Sequence, residues 1–303
     1  MGVEEGLWFK EIFANGVIYS YKVEKIYYSG RSKFQKIDLV ELSVFGKTLF
    51  LDEKIQSAQI DEYIYHEALV HPAMFSHPNP ERVLILGGGE GATLREILKH
   101  KDVEKVTMVD IDGELVEFCK EYLPEWHRGG FSDERTELII GDAKEYVENT
   151  NEKFDVIISD LTEPLEEGPS VYLFTKEYYD RIHEILNEKG IFVVQSGSAL
   201  EGYAQFMASM NKTLSAAFKN VVPYWSFVFS FSMPWGFNIA YKGIEKEEAN
   251  NNLEINYFNK NHIDLEYFTP KLYEGLKLLP SKLKEELKKG KISTNKEPFI
   301  WTL

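Results

Sequence analysis

The chain has 303 residues, with 34 Lys and Arg against 49 Asp and Glu, a formal net charge of −15. Hydrophobic residues make up 44% and charged residues 27%, enough apolar material for a sizeable core, so wholesale disorder is excluded. The acidic balance argues against a nucleic-acid binder, which neutralises phosphates with Lys and Arg, and suits a cationic small molecule.

The N-terminus, Met1-Gly2-Val3-Glu4-Glu5, is acidic and lacks the basic and apolar succession of a secretory signal. From Trp8 to Gln59, short alternating segments such as Val17–Tyr21, Ile37–Leu42 and Thr48–Leu51 are separated by the turn-like Asn15-Gly16 and Phe45-Gly46-Lys47. These predict a small antiparallel β-domain over residues 1–60. Between Asp61 and about 245, short apolar runs alternate with amphipathic stretches. The strand candidates are Arg82–Leu86, Lys105–Val109, Leu138–Ile140, Asp155–Ser159 and Ile191–Gln195. The helix candidates are Gly91–His100, Glu114–Tyr122, Ala143–Asn149, Lys176–Asn187 and Ala204–Phe218. Such alternation predicts an α/β fold with a doubly wound, Rossmann-like parallel sheet. Val221–Phe229 and Trp235–Tyr241 read as a further pair of strands at an antiparallel edge. A polar stretch, Glu245–Asn252, opens a tail over 246–303 in which Lys282–Lys289 reads as a solvated helix face. The single cysteine, Cys119, excludes an internal disulfide and an all-cysteine metal site. No apolar run reaches the roughly 18 residues of a membrane span. The cytoplasm is the expected compartment.

The first parallel strand ends in Gly87-Gly88-Gly89-Glu90-Gly91-Ala92, a glycine-rich turn at the edge where such sheets bind ligands. Asp110 closes the second strand, 21 residues after Gly89, where an acid accepts hydrogen bonds from ribose hydroxyls. Asp142 follows the third strand, at a position that contacts adenine in nucleoside-binding sheets. The pattern also fits a dinucleotide fingerprint, G-x-G-x-x-A, but Glu90 would repel a pyrophosphate and attract an ammonium group. The loop therefore suits a nucleoside carrying a cationic substituent. The alternative, a turn needed only for packing, is weakened by the strand before, the helix after and the acid beyond.

The fourth strand runs into Asp160-Leu161-Thr162-Glu163-Pro164, two carboxylates three apart where the cleft opens. An amine of pKa near 10 is protonated at neutral pH and cannot attack an electrophile. Asp160 is the candidate general base and Glu163 the candidate anchor of the amine. Upstream, Tyr65 and His66 are further candidates, whereas Tyr63 and His71 read as packing residues. His66 and His71 are five apart, which does not match the H-E-x-x-H zinc spacing, and no metal site is expected.

Taken in order, Tyr65-His66-Glu67, the GGGEG loop, Asp110-Ile111-Asp112, Gly141-Asp142-Ala143, and Asp160 through Pro164 with Gly168-Pro169 and Leu173-Phe174 are similar to the polyamine aminopropyltransferases. These are the spermidine and spermine synthases, and the resemblance runs from about Gly16 to Gly243. It implies transfer of an aminopropyl group from decarboxylated S-adenosylmethionine, a co-substrate, to an amine, with release of 5′-methylthioadenosine and no cofactor. It also implies that Asp160 deprotonates the amine and Glu163 binds it. Glu90 would hold the donor's aminopropyl nitrogen, Asp110 the ribose, and Asp142 with Ala143 the adenine. Gly87 and Gly89 would lie against the donor, joined by Gln35, while Gln56, Tyr65, His66 and Trp235 would line the amine pocket. Departures from typical spermidine synthases, namely Glu90 for Asp, D-L-T-E-P for D-S-S-D-P, and Trp235-Gly236, look more like the thermospermine-synthase branch. Spermidine is therefore expected as acceptor ahead of putrescine or agmatine. Polyamine and nucleoside partners and a homodimer or homotetramer follow from the same resemblance, with no nucleic acid or membrane. Two readings remain beside it: an S-adenosylmethionine-dependent methyltransferase on the same sheet, and a catalytically dead nucleoside-binding module.

Overall fold

The computed structural model describes residues 5–14, 16–164, 170–260 and 263–301; Asn15 and Gly168-Pro169, singled out above, lie outside them. The chain divides into two compact units, one running to Glu62 and including Val228–Ser232, the other comprising Tyr63–Phe227 and the chain from Met233 onward.

The first unit is an antiparallel meander of β1 (Leu7–Ala14), β2 (Val17–Arg31), β3 (Lys36–Leu42), β4 (Gly46–Leu51) and β5 (Lys54–Ala58), paired in that order. Phe50, Leu39, Leu49 and Ala58 form its interior. Val228–Ser232 joins it because Ser230 N–H donates to Asp61 Oδ2 over 2.7 Å and the Phe229 ring meets Phe45 edge-on at 5.2 Å. Strand β1 and the short β5 escape the sequence pattern, and β2 runs well past the Val17–Tyr21 segment that announced it.

The second unit begins with α1 (Glu62–Ser76), then β6 (Arg82–Gly87), α2 (Ala92–Leu98), β7 (Lys105–Asp110), α3 (Gly113–Tyr122), α4 (Pro124–His127), β8 (Thr136–Ile140), α5 (Ala143–Asn149) and β9 (Phe154–Asp160). It continues with α6 (Lys176–Ile185), β10 (Leu186–Ser198), α7 (Gln205–Ala217), β11 (Asn220–Val228), β12 (Met233–Tyr241), α8 (Lys246–Asn259), α9 (Pro270–Leu276) and α10 (Ser281–Lys288). The seven strands lie in the order β11-β12-β10-β9-β6-β7-β8. The pairs from β10 through β8 are parallel, and β12 runs antiparallel to β10. The expected doubly wound α/β sheet with an antiparallel edge is what forms. Chain order reverses between β6 and β9, which opens a crevice beyond their carboxyl ends.

The apolar centres of β6, β9 and β10 are sealed on one face by α6 and α7, through Tyr179, Ile182, Phe206, Met210 and Leu214. Polar side chains start the helices: Asp112 accepts from Leu115 N–H to cap α3, and Thr175 caps α6. The Lys176 helix stops at Ile185 because Leu186 already pairs with Phe154 at the head of β10. The polar stretch after Glu245 folds as α8; only Ala249 and Leu253 are buried in it, too few to mark a periodic face. Helix α1 contains Pro72 and is buried on every side from Tyr65 to Ser76, which erases the helical period from its sequence. Among the described residues, no helix is long and apolar enough to cross a membrane.

Candidate active site

The crevice floor is the junction of β6 and β9. Gly87 and Asp160 are register partners, and Gly88 N–H donates to Asp160 O over 3.0 Å. Gly87 has φ +82°, and a Cβ there would stand 2.4 Å from Asp160 O, so only glycine lets the two strand ends close. This explains the first glycine of the loop by packing, while leaving the loop backbone at the ligand edge of the sheet.

Acidic and aromatic side chains gather over this floor. Tyr65 Oη donates to Asp160 Oδ1 over 2.7 Å, and Thr93 Oγ1 donates to Asp160 Oδ2 over 2.6 Å. Burial, reinforced by the charges of Asp160, Glu163 and Glu90, holds the Tyr65 phenol well above its ordinary pKa, so it stays a donor. All three acids therefore act on one phenol. Beside it, His66 Nε2 lies 2.8 Å from Glu90 Oε1, with the two side chains only 3% and 11% exposed. The Tyr65 ring rests on Phe237 at 5.6 Å, and Trp235, two residues earlier on β12, shares that face.

A second group lies at the ends of β7 and β8. Asp110 Oδ1 accepts from Asp112 N–H over 2.8 Å, and Gly141 N–H donates to Asp110 O over 2.9 Å. Burial, with added repulsion from Asp112 and Asp160, pushes the Asp110 carboxyl up to about 6 despite hydrogen bonds from Asp112 and Gly89 N–H. A Cβ on Gly89 would approach Asp110 Oδ2 to 3.0 Å, so the glycine loop and this acid nearly touch. Asp142 is exposed and caps α5 by accepting from Lys144 N–H over 2.7 Å, with Ala143 buried behind it.

Gln35 closes the β2–β3 turn, where its carbonyl accepts from Ser32 N–H over 2.9 Å, and Gln56 lies half-buried on β5; both belong to the first unit. Two polar side chains at the crevice were not read from sequence. Thr93 sits in the first turn of α2 directly after the glycine loop, a position that itself was a usable signal. Gln195, polar and buried in the apolar β10, donates from Nε2 to Leu161 O over 2.6 Å. His71 packs as expected. Its Nε2 lies 2.8 Å from Glu96 Oε2 and its Nδ1 3.0 Å from His100 Nε2, all three side chains buried. Burial would raise the Glu96 pKa, but His71, Arg95 and Lys99 together hold this carboxyl below its ordinary range. Glu67 points away from the phenol and accepts the backbone N–H groups of Glu266, Tyr267 and Phe268 over 2.8, 2.9 and 2.7 Å. Among the described residues there is no cluster of His, Cys, Asp and Glu able to hold a metal ion.

The chain matches the model of the spermine/spermidine synthase domain over residues 62–251 and that of the spermidine synthase tetramerisation domain over residues 7–59. It is 42% identical to a polyamine aminopropyltransferase of Sulfolobus acidocaldarius, over 97% of this chain and 98% of that protein. A polyamine aminopropyltransferase of Aeropyrum pernix is 49% identical over 72% of this chain and 69% of its own length. Among solved structures, a spermidine synthase in complex with the transition-state analogue AdoDATO superposes with a TM-score of 0.87 at 34% identity, covering 94% of this chain and 96% of that one. The spermidine synthase of Thermotoga maritima superposes with a TM-score of 0.86 at 33% identity, covering 94% and 95%. A full-length fold match, two family-model matches and the acid-lined crevice agree: the chain belongs to the spermine and spermidine synthase family and is a transferase of the polyamine aminopropyltransferase type.

Proposed function

We propose that the chain moves the aminopropyl group of decarboxylated S-adenosylmethionine to spermidine, forming thermospermine and 5′-methylthioadenosine. The observation that carries the reading is the hydrogen-bonded group of Tyr65, Asp160 and Thr93 at the end of β9, with the buried His66–Glu90 pair next to it in sequence and in the glycine loop. Asp110 takes the ribose hydroxyls, Asp142 and Ala143 the adenine, and Gly87 and Gly89 lie along the donor, while the roles of Gln35 toward the donor and Gln56 toward the acceptor rest on the family resemblance alone. Glu90 takes the donor's ammonium. Glu163, with Tyr65, His66 and Trp235, receives the acceptor.

The donor carries a sulfonium, which leaves readily, so the protein must align three atoms and remove one proton. An acceptor nitrogen lone pair attacks the methylene next to sulfur. The carbon–sulfur bond breaks, its electron pair neutralises the sulfonium, and the nitrogen's surplus proton passes to Asp160. Donor and acceptor are both cations, and three neighbouring acids offset their mutual repulsion. Ordinary S-adenosylmethionine would bring its carboxylate against Glu90 and be rejected.

Spermidine is favoured over putrescine and agmatine by Glu90, by the Leu161-Thr162-Glu163 sequence after Asp160, and by Trp235-Gly236. The cytoplasm suits a chain with one buried cysteine. Homo-oligomerisation, as dimer or tetramer, is supported by the tetramerisation-domain match and by exposed Leu7, Ile12, Ile18 and Ile26 on β1 and β2. The test incubates the protein with decarboxylated donor and putrescine, agmatine or spermidine, and separates products by chromatography. Methylthioadenosine with thermospermine supports the reading. Faster turnover of putrescine or agmatine would overturn the acceptor, and methyl transfer from S-adenosylmethionine would overturn the reaction.

A further inference from the structure

Four carbonyls of the segment Asp160–Pro164 are held by donors from four different places. Gly88 N–H takes Asp160 O over 3.0 Å, and Gln195 Nε2 takes Leu161 O over 2.6 Å. Ser170 Oγ takes Glu163 O over 3.1 Å, and Trp301 N–H takes Pro164 O over 2.8 Å. The first three belong to the sheet and its connections. The fourth comes from the far end of the described chain, beyond both family-model matches.

The route to Trp301 is built throughout. After α10 the chain passes α7 so closely that a Cβ on Gly290 would stand 2.1 Å from Ala208 O. Ser209 Oγ then donates to Lys291 O over 2.8 Å, and Ser293 N–H to Thr213 Oγ1 over 2.9 Å. At the head of α6, Lys176 N–H donates to Ser293 O over 2.8 Å and Thr175 Oγ1 to Asn295 Oδ1 over 2.9 Å. The Phe299 ring stacks on Phe206 at 5.5 Å, and two residues later the chain reaches Pro164. One extended segment thus grips the start of α6 and the chain following the candidate reactive acids.

We infer that Gly290–Trp301 is a strap that positions Glu163, with the Trp301 N–H as the group that holds the Pro164 carbonyl, one peptide beyond Glu163. This rests on the reading of Glu163 as the acceptor-binding acid. Two successive carbonyls, those of Glu163 and Pro164, are held by Ser170 and by Trp301, so the carboxylate is presented from a held backbone. Freeing Pro164 O lets that backbone drift and weakens acceptor binding, while the nucleoside side, anchored at Asp110 and Asp142, is untouched.

Trp301→Pro removes the N–H, and Trp301→Ala keeps it while removing the ring. The proline variant should raise the acceptor KM about fivefold, the worth of one hydrogen bond, with kcat and methylthioadenosine affinity within about twofold. The alanine variant should match the parent. A chain ended after Phe299 should behave as the proline variant does. Amide exchange at Leu161–Glu163 should quicken in the proline variant, a readout that needs no turnover. Unchanged acceptor KM with unchanged exchange, or an equal loss of methylthioadenosine affinity, would overturn the strap. A parent chain that transfers nothing to any amine would overturn the transfer reading instead, and the exchange experiment would still decide the strap.

Discussion

Tyr65 and Asp160, brought together from the first helix of the larger unit and the end of its central strand, share a 2.7 Å hydrogen bond in which the phenol is the donor. With Thr93 on the other oxygen at 2.6 Å, the carboxylate plane is fixed and a free lone pair on each oxygen can face the crevice. Asp160→Asn should therefore lower kcat by about 10²–10⁴ while methylthioadenosine binding stays within about threefold. Tyr65→Phe keeps the Thr93 bond and should cost about tenfold. Steady-state kinetics and calorimetry with methylthioadenosine check both, and an Asp160→Asn enzyme at full rate would remove the residue from its role.

Glu90 separates donor from product. The donor carries an ammonium that the methylthio group of the product lacks. Glu90→Gln should weaken decarboxylated donor by about 10- to 100-fold, the range of a hydrogen bond to a charged group, and leave methylthioadenosine affinity nearly unchanged. Equal losses for both ligands would mean that Glu90 serves the loop rather than the ammonium.

Asp110 links pH to donor binding and to stability. Burial raises its carboxyl from an ordinary 3.8 to about 6. Ribose hydroxyls need the ionised form as acceptor, so methylthioadenosine affinity should fall as pH drops through about 6, by at most about tenfold per unit. For folding, the sign is reversed. Below 3.8 the group is protonated folded or unfolded, and ionisation penalises the native state increasingly up to about 6, by roughly 3 kcal/mol in full. Asp110→Asn should raise the melting temperature at pH 7.5, show no gain near pH 3.8, and bind methylthioadenosine weakly at both. Thermal scans at the two pH values, with calorimetric titrations, decide this.

Glu67 acts on the fold. Its carboxylate takes three backbone N–H groups, and Glu67→Ala strands the buried one of Phe268 while those of Glu266 and Tyr267 can turn to water. Stability should fall by about 2 kcal/mol, near 4 °C in melting temperature, with both KM values at 25 °C within about threefold. Lost turnover without lost stability would place Glu67 in the chemistry.

The acids of the candidate crevice were readable because Asp110 and Asp160 each close a strand and Glu90 lies in the turn after one, and local succession of strand, turn and helix decides where such ends point. Gly87, Glu90, Asp110 and Asp160 needed no knowledge of distant pairing. Thr93, Gln195 and Trp301 did: each matters through a bond to a loop far away in sequence, and none carries a spacing signal of its own. Helix α1 carried site candidates but no helical period, since burial on all sides leaves no polar stripe. Helix α8 was missed for the opposite reason, a surface almost wholly polar.

The bond from Glu67 to residues some 200 positions downstream has a temporal side. At ribosomal speeds of about 5–20 residues per second, the helix bearing Tyr65 and His66 emerges about 10–40 s before the amides that quench its buried carboxylate exist. During translation that helix cannot settle into its final berth. The nascent polypeptide must hold an uncompensated acid in contact with water until residues 266–268 have been made.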